Sequence, residues 1–168
     1  MAGQTPLPAT QQRYMRRGVT KFIFLSAISG GARVPSREDL DGGADLSPFV
    51  SDVEGFALEN TPIETPDMAS DFTSNIPGED KADNSSLTFY EDKASDAVET
   101  LLSKGVEGLL VILRKGDVPE SKSMDSFPVR VGSRSAAYTA GAEPAKFKVS
   151  FNITDRPELD SAVPAKTA

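Results

Sequence analysis

Several residue types on which enzymes and metalloproteins depend are missing from this chain of 168 residues. It contains no cysteine, no histidine and no tryptophan. Without cysteine there can be no disulfide, thiol nucleophile or zinc–thiolate centre. Without histidine the chain lacks the usual general base and the commonest metal ligand, and serine–histidine–aspartate chemistry is excluded. These absences argue against an enzyme, and we expect no catalytic residue, no cofactor and no bound metal.

Long hydrophobic runs are absent as well. The best candidates, Phe22–Leu25 and Leu109–Leu113, are far shorter than the roughly 20 apolar residues that a helix needs to cross a bilayer. The N-terminus also lacks the apolar segment that is typical of a secretory signal. We therefore expect a soluble protein that is made in a cytoplasm and has no membrane partner.

Charge is distributed unevenly along the chain, whose net charge is −7. Residues 1–37 carry +6, residues 38–100 carry −15 and residues 101–168 carry +2. The simpler interpretation is an acidic loop region that is kept soluble by its charge. The alternative is a molecule with one acidic and one basic surface, which would suit head-to-tail association with copies of itself.

The segment Asp39–Asp45 is rich in acids and glycines and resembles a calcium-binding loop only loosely. Its spacing does not match the EF-hand pattern, and no bidentate glutamate follows at the right offset. We interpret it as an acidic turn. A short helical turn over Arg37–Leu40, capped by Ser36, is expected just before it.

Alternation of apolar and polar residues predicts most of the strands. The clearest case is a strand over residues 145–153, with Phe147, Val149, Phe151 and Ile153 facing inward. Further strands are predicted over residues 18–28, 48–58, 85–90, 109–113 and 124–138, and residues 59–65 and 72–76 form a predicted long hairpin. Because the strand at 109–113 is apolar on both faces, we expect a helix to cover one face and another sheet or a neighbouring subunit to cover the other.

A single helix is predicted at about residues 95–104. Asp92 and Ser95 are its candidate N-caps, and Gly105 stands where a left-handed residue would end it. We expect a flexible N-terminal arm over residues 1–13, a β domain over 14–157 and a C-terminal tail over 158–168. The predicted fold class is mainly β: an antiparallel β-sandwich or partial barrel with one flanking α-helix and a long loop or hairpin.

Six segments of the chain resemble the tail tube proteins, also called major tail proteins, of tailed bacteriophages. They are Arg16–Leu25 (RRGVTKFIFL), Asp45–Phe56 (DLSPFVSDVEGF), Thr65–Gly78 (TPDMASDFTSNIPG), Ala82–Asp92 (ADNSSLTFYED), Met124–Ser135 (MDSFPVRVGSRS) and Lys146–Pro157 (KFKVSFNITDRP). The resemblance extends over about residues 14–157. It is closest to the tail tube proteins of phages that infect actinobacteria.

The resemblance implies a structural protein of the virion tail, assembled in the cytoplasm of the bacterial host. Subunits of this family form hexameric rings that stack into a hollow tube, with a β-barrel shared around the lumen and a loop or hairpin that reaches the adjacent ring. Genomic DNA passes through the tube without specific binding. The tape measure, terminator and distal tail proteins are the other implied partners.

Other functions remain open at this point. The chain could be the tube of a contractile device, a tail completion protein or a capsid decoration protein, and the form of its assembly would separate these. An enzyme that uses only carboxylates, such as a glycosidase, would need two facing acids and aromatic sugar platforms. The three tyrosines and the lack of tryptophan argue against such platforms.

A mostly acidic lumen, as the resemblance implies, would repel the phosphates of passing DNA. The candidate lumen acids are Asp52, Glu54, Glu59 and Glu64. Asp52 and Glu54 share one face of a strand and Glu59 lies on the other, so they can all point inward only if a bulge intervenes.

Three arginines near the N-terminus are candidates for contacts between subunits. Arg13, Arg16 and Arg17 could pair with acids of an adjacent copy, and the alternative is that they are simply solvated. A single surface pair contributes little, but pairs repeated along a tube would fix the register of the subunits.

Overall fold

The computed structural model describes residues 3–5, 12–27, 31 and 33–166, and this part of the chain is mainly β. Its strands are β1 (Lys21–Leu25), β2 (Ala44–Asp45), β3 (Val50–Glu54), β4 (Leu58–Asn60), β5 (Ile63–Thr65), β6 (Ser74–Ile76), β7 (Asp80–Ala82), β8 (Ser85–Tyr90), β9 (Glu107–Leu113), β10 (Met124–Ala137), β11 (Lys146–Ile153) and β12 (Glu158–Ser161). Its helices are α1 (Arg37–Gly42) and α2 (Ala97–Leu101). The antiparallel, mainly β fold predicted from the sequence is confirmed.

One antiparallel sheet forms the body of the molecule, with the strand order β2-β1-β9-β10-β11-β8-β3, and β12 also pairs with β10. The chain between β2 and β3 connects the two ends of this sheet. The amide of Leu46 donates to the carbonyl of Phe22 at 2.8 Å, and the amide of Tyr90 donates to the carbonyl of Phe49 at 2.9 Å. The sheet therefore curls into a partial barrel that stays open between β1 and β3.

The inner face of the curled sheet holds the main core. Its members are large apolar side chains from five strands, joined by Val98 and Leu102 from the α2 region and by Leu46. They include Phe24, Leu87, Phe89, Leu110, Phe127, Val129, Val131, Phe147, Val149 and Phe151, all 2% exposed or less. For β11 the alternation correctly predicted the inward residues Phe147, Val149, Phe151 and Ile153, because each second residue of a strand faces the same side.

The outer face of β1 and β9 is buried too. Ile23, Leu109, Val111 and Leu113 form a second cluster with Met124, and Leu40 of α1 and Val163 cover it. Strand β9 is thus apolar on both faces because both faces are covered, as predicted. The cover on this side comes from α1 and the C-terminal segment of the same chain, not from another sheet or a neighbouring subunit.

Of the predictions about the ends and helices, one is confirmed and two need correction. The helix predicted at 95–104 is only α2, since Leu102 already leaves the helical conformation and turns into the core. The helical turn predicted at Arg37–Leu40 with Ser36 as its cap is confirmed: it is the first part of α1, which extends to Gly42, and Ser36 and Asp39 form a capping box. The predicted tail at 158–168 contains β12 and the buried Val163, because the outer face of the sheet gives this segment an apolar surface to cover. Most of the predicted arm over 1–13 lies outside the described residues.

The predicted hairpin is present and longer than expected. Two short antiparallel ladders build it, β4 with β7 and β5 with β6, and we call residues 58–82 the hairpin arm. Gly55 and Phe56 at its root both have positive φ, +79° and 59°. This turn drives the Phe56 ring into the core, 5.3 Å from the ring of Phe127, so the arm leaves the barrel at a fixed point.

The first testable prediction concerns the ion pair that ties α1 to the turn after β9. The Arg37 guanidinium donates two hydrogen bonds of 2.8 Å to Asp117 and lowers the pKa of that carboxyl below its ordinary value of 3.8. The unfolded chain therefore binds this proton more readily than the folded one. The stability from Asp117 is present above about pH 4 and is lost as the pH falls through the lowered pKa.

We expect Asp117→Asn to flatten this dependence. Its free energy of unfolding, measured by denaturant titration between about pH 5 and 2.5, should fall less steeply with acidification than that of the wild type. Asp155→Asn is the control, because Asp155 pairs with Arg33 at an exposed site. A wild-type slope in the Asp117 variant would contradict the prediction.

The second prediction tests the root of the hairpin arm. A Cβ at Gly55 would lie 2.6 Å from the carbonyl oxygen of Asn84 and 2.9 Å from Cα of Ser85, at a positive φ. Gly55→Ala should therefore lower the free energy of unfolding by roughly 1–3 kcal/mol. Gly42→Ala, where a Cβ meets nothing within 4 Å, should change it by less than about 0.5 kcal/mol. Equal losses in the two variants would show that the root is not strained.

Candidate assembly surfaces

The outer face of β3, β8, β11 and the second half of β10 is polar. Antiparallel register places Asp52 opposite Thr88, Glu54 opposite Ser86, and Lys148 opposite both Thr88 and Ser135. Directly opposite residues share a face, so these side chains all lie on the side away from the core. We call this surface the polar face. Its members are Asp52, Glu54, Ser86, Thr88, Ser133, Ser135, Lys146, Lys148, Ser150 and Asn152.

A bulge in β3 decides which residues join the polar face. The register shifts by one residue between Val50 and Asp52, so Val50 lies opposite the buried Phe89 and packs on the core. Asp52 and Glu54 after the bulge both face outward, as their spacing predicts. The bulge therefore precedes the acids and does not bring Glu59 to their side.

Glu54 is engaged by a cation on the polar face. The Lys148 ammonium lies 3.0 Å from its carboxylate, which also accepts a 3.3 Å hydrogen bond from the Ser86 hydroxyl. At the margin of the face, Arg130 and Glu107 pair at 3.6 Å. Both ion pairs are well exposed and contribute little to stability, about 0–1 kcal/mol each. Because each pair joins an acid to a base, this surface is nearly balanced in charge and is not strongly acidic.

Glu59 and Glu64 lie elsewhere, on the hairpin arm. Glu59 is opposite Lys81 in the first ladder, and Glu64 is opposite Asn75 in the second. Both side chains are exposed. The four predicted lumen acids therefore divide into two pairs, Asp52 with Glu54 on the polar face and Glu59 with Glu64 on the arm.

The three arginines predicted at subunit contacts lie on one exposed segment before β1. Arg13, Arg16 and Arg17 are exposed, and none forms an ion pair with a residue that the structure describes. A turn fixes the segment, since the amides of Val19 and Thr20 donate to the carbonyl of Arg16 at 3.0 and 2.8 Å. The Thr20 hydroxyl also donates to the carbonyl of Arg114 at 2.9 Å.

Sequence reasoning missed the exposed apolar side chains of the arm. Ile63 and Ile76 stand opposite each other and are 52% and 50% exposed. Met68 and Phe72 at the tip are more exposed still. The signal that could have found them is the combination of apolar residues with Pro62, Pro66 and Pro77, because prolines keep a strand out of the middle of a sheet.

The described residues contain no cluster of three or more acids close enough to hold a metal ion. Two acids of the 39–45 segment interact with residues close to them in sequence. Asp41 forms an ion pair with Arg37, and Asp45 accepts a hydrogen bond from the amide of Ser47. Within the same residues, no helix is long and apolar enough to pass through a bilayer.

Several solved structures have a similar fold. The chain is similar to the tube-terminating cap of the anti-feeding prophage (16% identity, TM-score 0.51, covering 94% of this chain and 93% of that chain). It is similar to the sheath/tube terminator of the extracellular contractile injection system PVC (12%, 0.55, 94% and 98%). It is also similar to a chain from the tail of an empty GTA particle refined with C6 symmetry (8%, 0.52, 88% and 98%). At these identities the likeness shows the fold alone.

Comparison at the level of sequence gives the family. None of the curated proteins compared with the chain matches it. The family model described as phage tail tube protein matches residues 8–166, which is nearly the whole sequence. The chain belongs to the phage tail tube protein family.

Proposed function

We propose that copies of this chain form hexameric rings and that the rings stack into the tube through which a phage ejects its DNA. The observation that carries the proposal is the family match over residues 8–166. The open barrel supports it, because β3 is the outermost strand of the sheet and has no strand partner on its free edge among the described residues. Unpaired strand edges are templates for pairing with another chain.

We place the polar face at the bore of the tube. It presents hydroxyls, amides and paired charges, and it lacks the excess of lysine and arginine with which proteins hold phosphate. Asp52 and Glu54 are then the acids that face the passing DNA. Glu59 and Glu64, which lie on the arm, are available for contacts with other subunits.

Several finer features belong to the same proposal. The tube would be part of the virion tail, assembled in the cytoplasm of the bacterial host, with the tape measure, terminator and distal tail proteins as partners. The host is an actinobacterium, in line with the six segments that resemble the proteins of such phages. No catalytic activity is included in this function.

A second candidate is a terminator that closes a tube with a single ring. Two proteins with a similar fold favour this candidate: one is a tube-terminating cap and the other is a sheath/tube terminator. The two candidates differ in how far assembly proceeds. A tube subunit adds ring upon ring, whereas a terminator stops after one.

The third prediction tests assembly directly. Purified protein, concentrated and imaged by negative-stain electron microscopy, should show six-fold rings with a central hole and stacks of such rings. Assembly is expected because the open edge of β3 and the exposed apolar residues of the arm favour association. Single rings at every concentration would select the terminator, and monomers alone under all conditions would contradict both candidates.

The fourth prediction tests the bore. In Glu54→Lys the new cation would lie beside Lys148 and create a basic site on the polar face. Tubes of this variant should retain duplex DNA at low salt and release it as salt rises, whereas wild-type tubes should not retain it. A filter-retention assay with labelled DNA measures the difference.

Two variants control this experiment. Glu143→Lys makes the same charge change in the exposed turn between β10 and β11 and should not retain DNA. The double variant Glu54→Lys/Lys148→Glu restores the balance of charge and should behave like the wild type. If Glu143→Lys retains as much DNA as Glu54→Lys, the polar face does not line the bore.

A further inference from the structure

A row of three side chains crosses the middle of the polar face. Antiparallel register places Glu54 of β3 opposite Ser86 of β8, and Ser86 opposite Ser150 of β11. Lys148 and Asn152 flank Ser150 on the same side of β11, because each lies two residues away from it along the strand. Long side chains at such diagonal positions reach into a neighbouring row. The polar face therefore brings an acid, a base, hydroxyls and an amide together at one place.

These side chains border a polar cup of about 300 Å³ on the outer surface of the sheet. Its polar lining includes Glu54, Asn84, Ser86, Lys148, Ser150 and Asn152. One oxygen of the Glu54 carboxylate, Oε2, accepts from the Lys148 ammonium at 3.0 Å and from the Ser86 hydroxyl at 3.3 Å. Ammonium and hydroxyl groups that converge in this way are donors with which proteins bind phosphate oxygens. Here the oxygen that receives them belongs to the chain itself.

The remaining donors of the polar cup have no partner within the part of the chain that the structure describes. The Ser150 hydroxyl and the side-chain amides of Asn84 and Asn152 form no hydrogen bond with a described residue. Serine and asparagine side chains donate to phosphate oxygens, as lysine does. An anion that displaced Glu54 would thus be surrounded by the Lys148 ammonium, two hydroxyls and two amides.

The other two cations on or beside the polar face lack such surroundings. Lys146 lies over the ring of Tyr90, 5.5 Å from its centre. Arg130 pairs with Glu107 at 3.6 Å. Neither Lys146 nor Arg130 lines the polar cup. Among the cations of this surface, only Lys148 therefore has hydroxyls and amides placed to complete an anion site.

Asp52 provides the comparison for Glu54, since it is the other acid of the polar face. Its carboxylate accepts a 2.8 Å hydrogen bond from the amide of Val53, and it pairs with no cation among the described residues. Both acids are exposed and each carries one negative charge. If the acids acted only by repelling phosphate, loss of either charge would have the same effect. If Glu54 acts by occupying the polar cup, only loss of its charge opens a binding site.

We infer that the polar cup is an anion-binding site that fits a phosphate group, and that Glu54 keeps it closed by occupying it from within. A carboxylate held this close competes with a free anion at an effective concentration of about a millimolar or more. Inorganic phosphate and the phosphates of DNA share the chemistry that the cup recognises. The site is complete in a single copy, whereas its role in a tube rests on the proposed function.

Closure of the polar cup has a consequence if the polar face lines the bore. One open cup would bind one phosphate weakly, but the cups of neighbouring copies would contact a single duplex at many points. Such multivalent binding exceeds the affinity of one contact by about 10²–10⁴-fold. Glu54 therefore prevents the retention of DNA at sites that the hydroxyls and amides of this surface would otherwise complete.

The fifth prediction opens the polar cup without adding a cation. In Glu54→Gln the Lys148 ammonium loses its charged partner, so inorganic phosphate should bind at least about tenfold more tightly than to the wild type. The measurement is a phosphate titration of dispersed protein, followed by proton–nitrogen NMR at constant ionic strength with chloride as the balancing anion. The backbone amide signals of Ser86, Ser150 and Asn152 should shift together.

Two variants control the titration. Asp52→Asn removes the same charge from the same face and should bind phosphate no more tightly than the wild type. Glu54→Gln/Lys148→Met should lose the binding gained by Glu54→Gln, because its cup has hydroxyls and amides but no cation. Equal gains in Glu54→Gln and Asp52→Asn would indicate general repulsion and overturn the inference. A Glu54→Gln titration that matches the wild type would overturn it as well.

Duplex DNA tests the same site in assembled tubes. Tubes of Glu54→Gln should retain labelled duplex on a filter at low salt, whereas tubes of Asp52→Asn should release it as the wild type does. If Glu54→Gln binds inorganic phosphate but its tubes retain no DNA, the anion site is supported and the polar face does not line the bore. If the wild type forms neither rings nor stacks, the proposed function fails, and the phosphate titration alone decides the inference.

Discussion

The burial of β9 on both faces is the constraint on which the fold depends. Leu110 and Ile112 pack into the interior of the curled sheet, while Leu109, Val111 and Leu113 pack on the opposite side. A strand of this composition needs two layers of cover, and a single curled sheet supplies only one. The second layer comes from α1 and from the segment that carries Val163, which explains why so short a helix and so short a strand, β12, are kept in place. With β9 covered on both faces within one copy, the surfaces that remain exposed are the polar face, the open edge of β3 and the hairpin arm.

The sequence predicted those parts of the fold in which neighbouring residues alternate between buried and exposed positions or have a strong preference for strands. Alternation in β11 and the aromatic and β-branched residues of β8 identified strands whose bounds match the structure closely. The C-terminal segment was predicted as a tail because it contributes one decisive apolar contact, Val163, and a single valine gives no periodic signal. Val163 is buried by the outer face of β9 and β1, which is distant in sequence and cannot be inferred from the residues next to Val163. The shortness of α2 has the same origin: Leu102 leaves the helix to reach the core.

Some positions of the candidate site were also predictable and others were not. The sequence predicted that Asp52 and Glu54 share one face because both lie in one uninterrupted piece of β3. Glu59 and Glu64 follow the two left-handed residues at Gly55 and Phe56, where the chain leaves the sheet, and beyond such a turn parity carries no information about the earlier face. The glycine was visible in the sequence, but a phenylalanine with positive φ was not, since that conformation is held by the packing of its ring against Phe127.

The positions of the charged residues in the structure differ from what the charge distribution along the sequence suggested. The acidic stretch of the sequence suggested a wall that repels DNA, yet the polar face pairs Glu54 with Lys148 and is close to balanced. Six of the acids lie on the arm, and Arg16 and Arg17 lie beside the gap between β1 and β3. If the polar face lines the bore, as we propose, a neutral, hydroxyl-rich wall is enough to let a polyanion pass, because adhesion to DNA requires a surplus of cations that this face does not have. The surplus charge of each sign would then lie outside the bore, where it is available for contacts between copies.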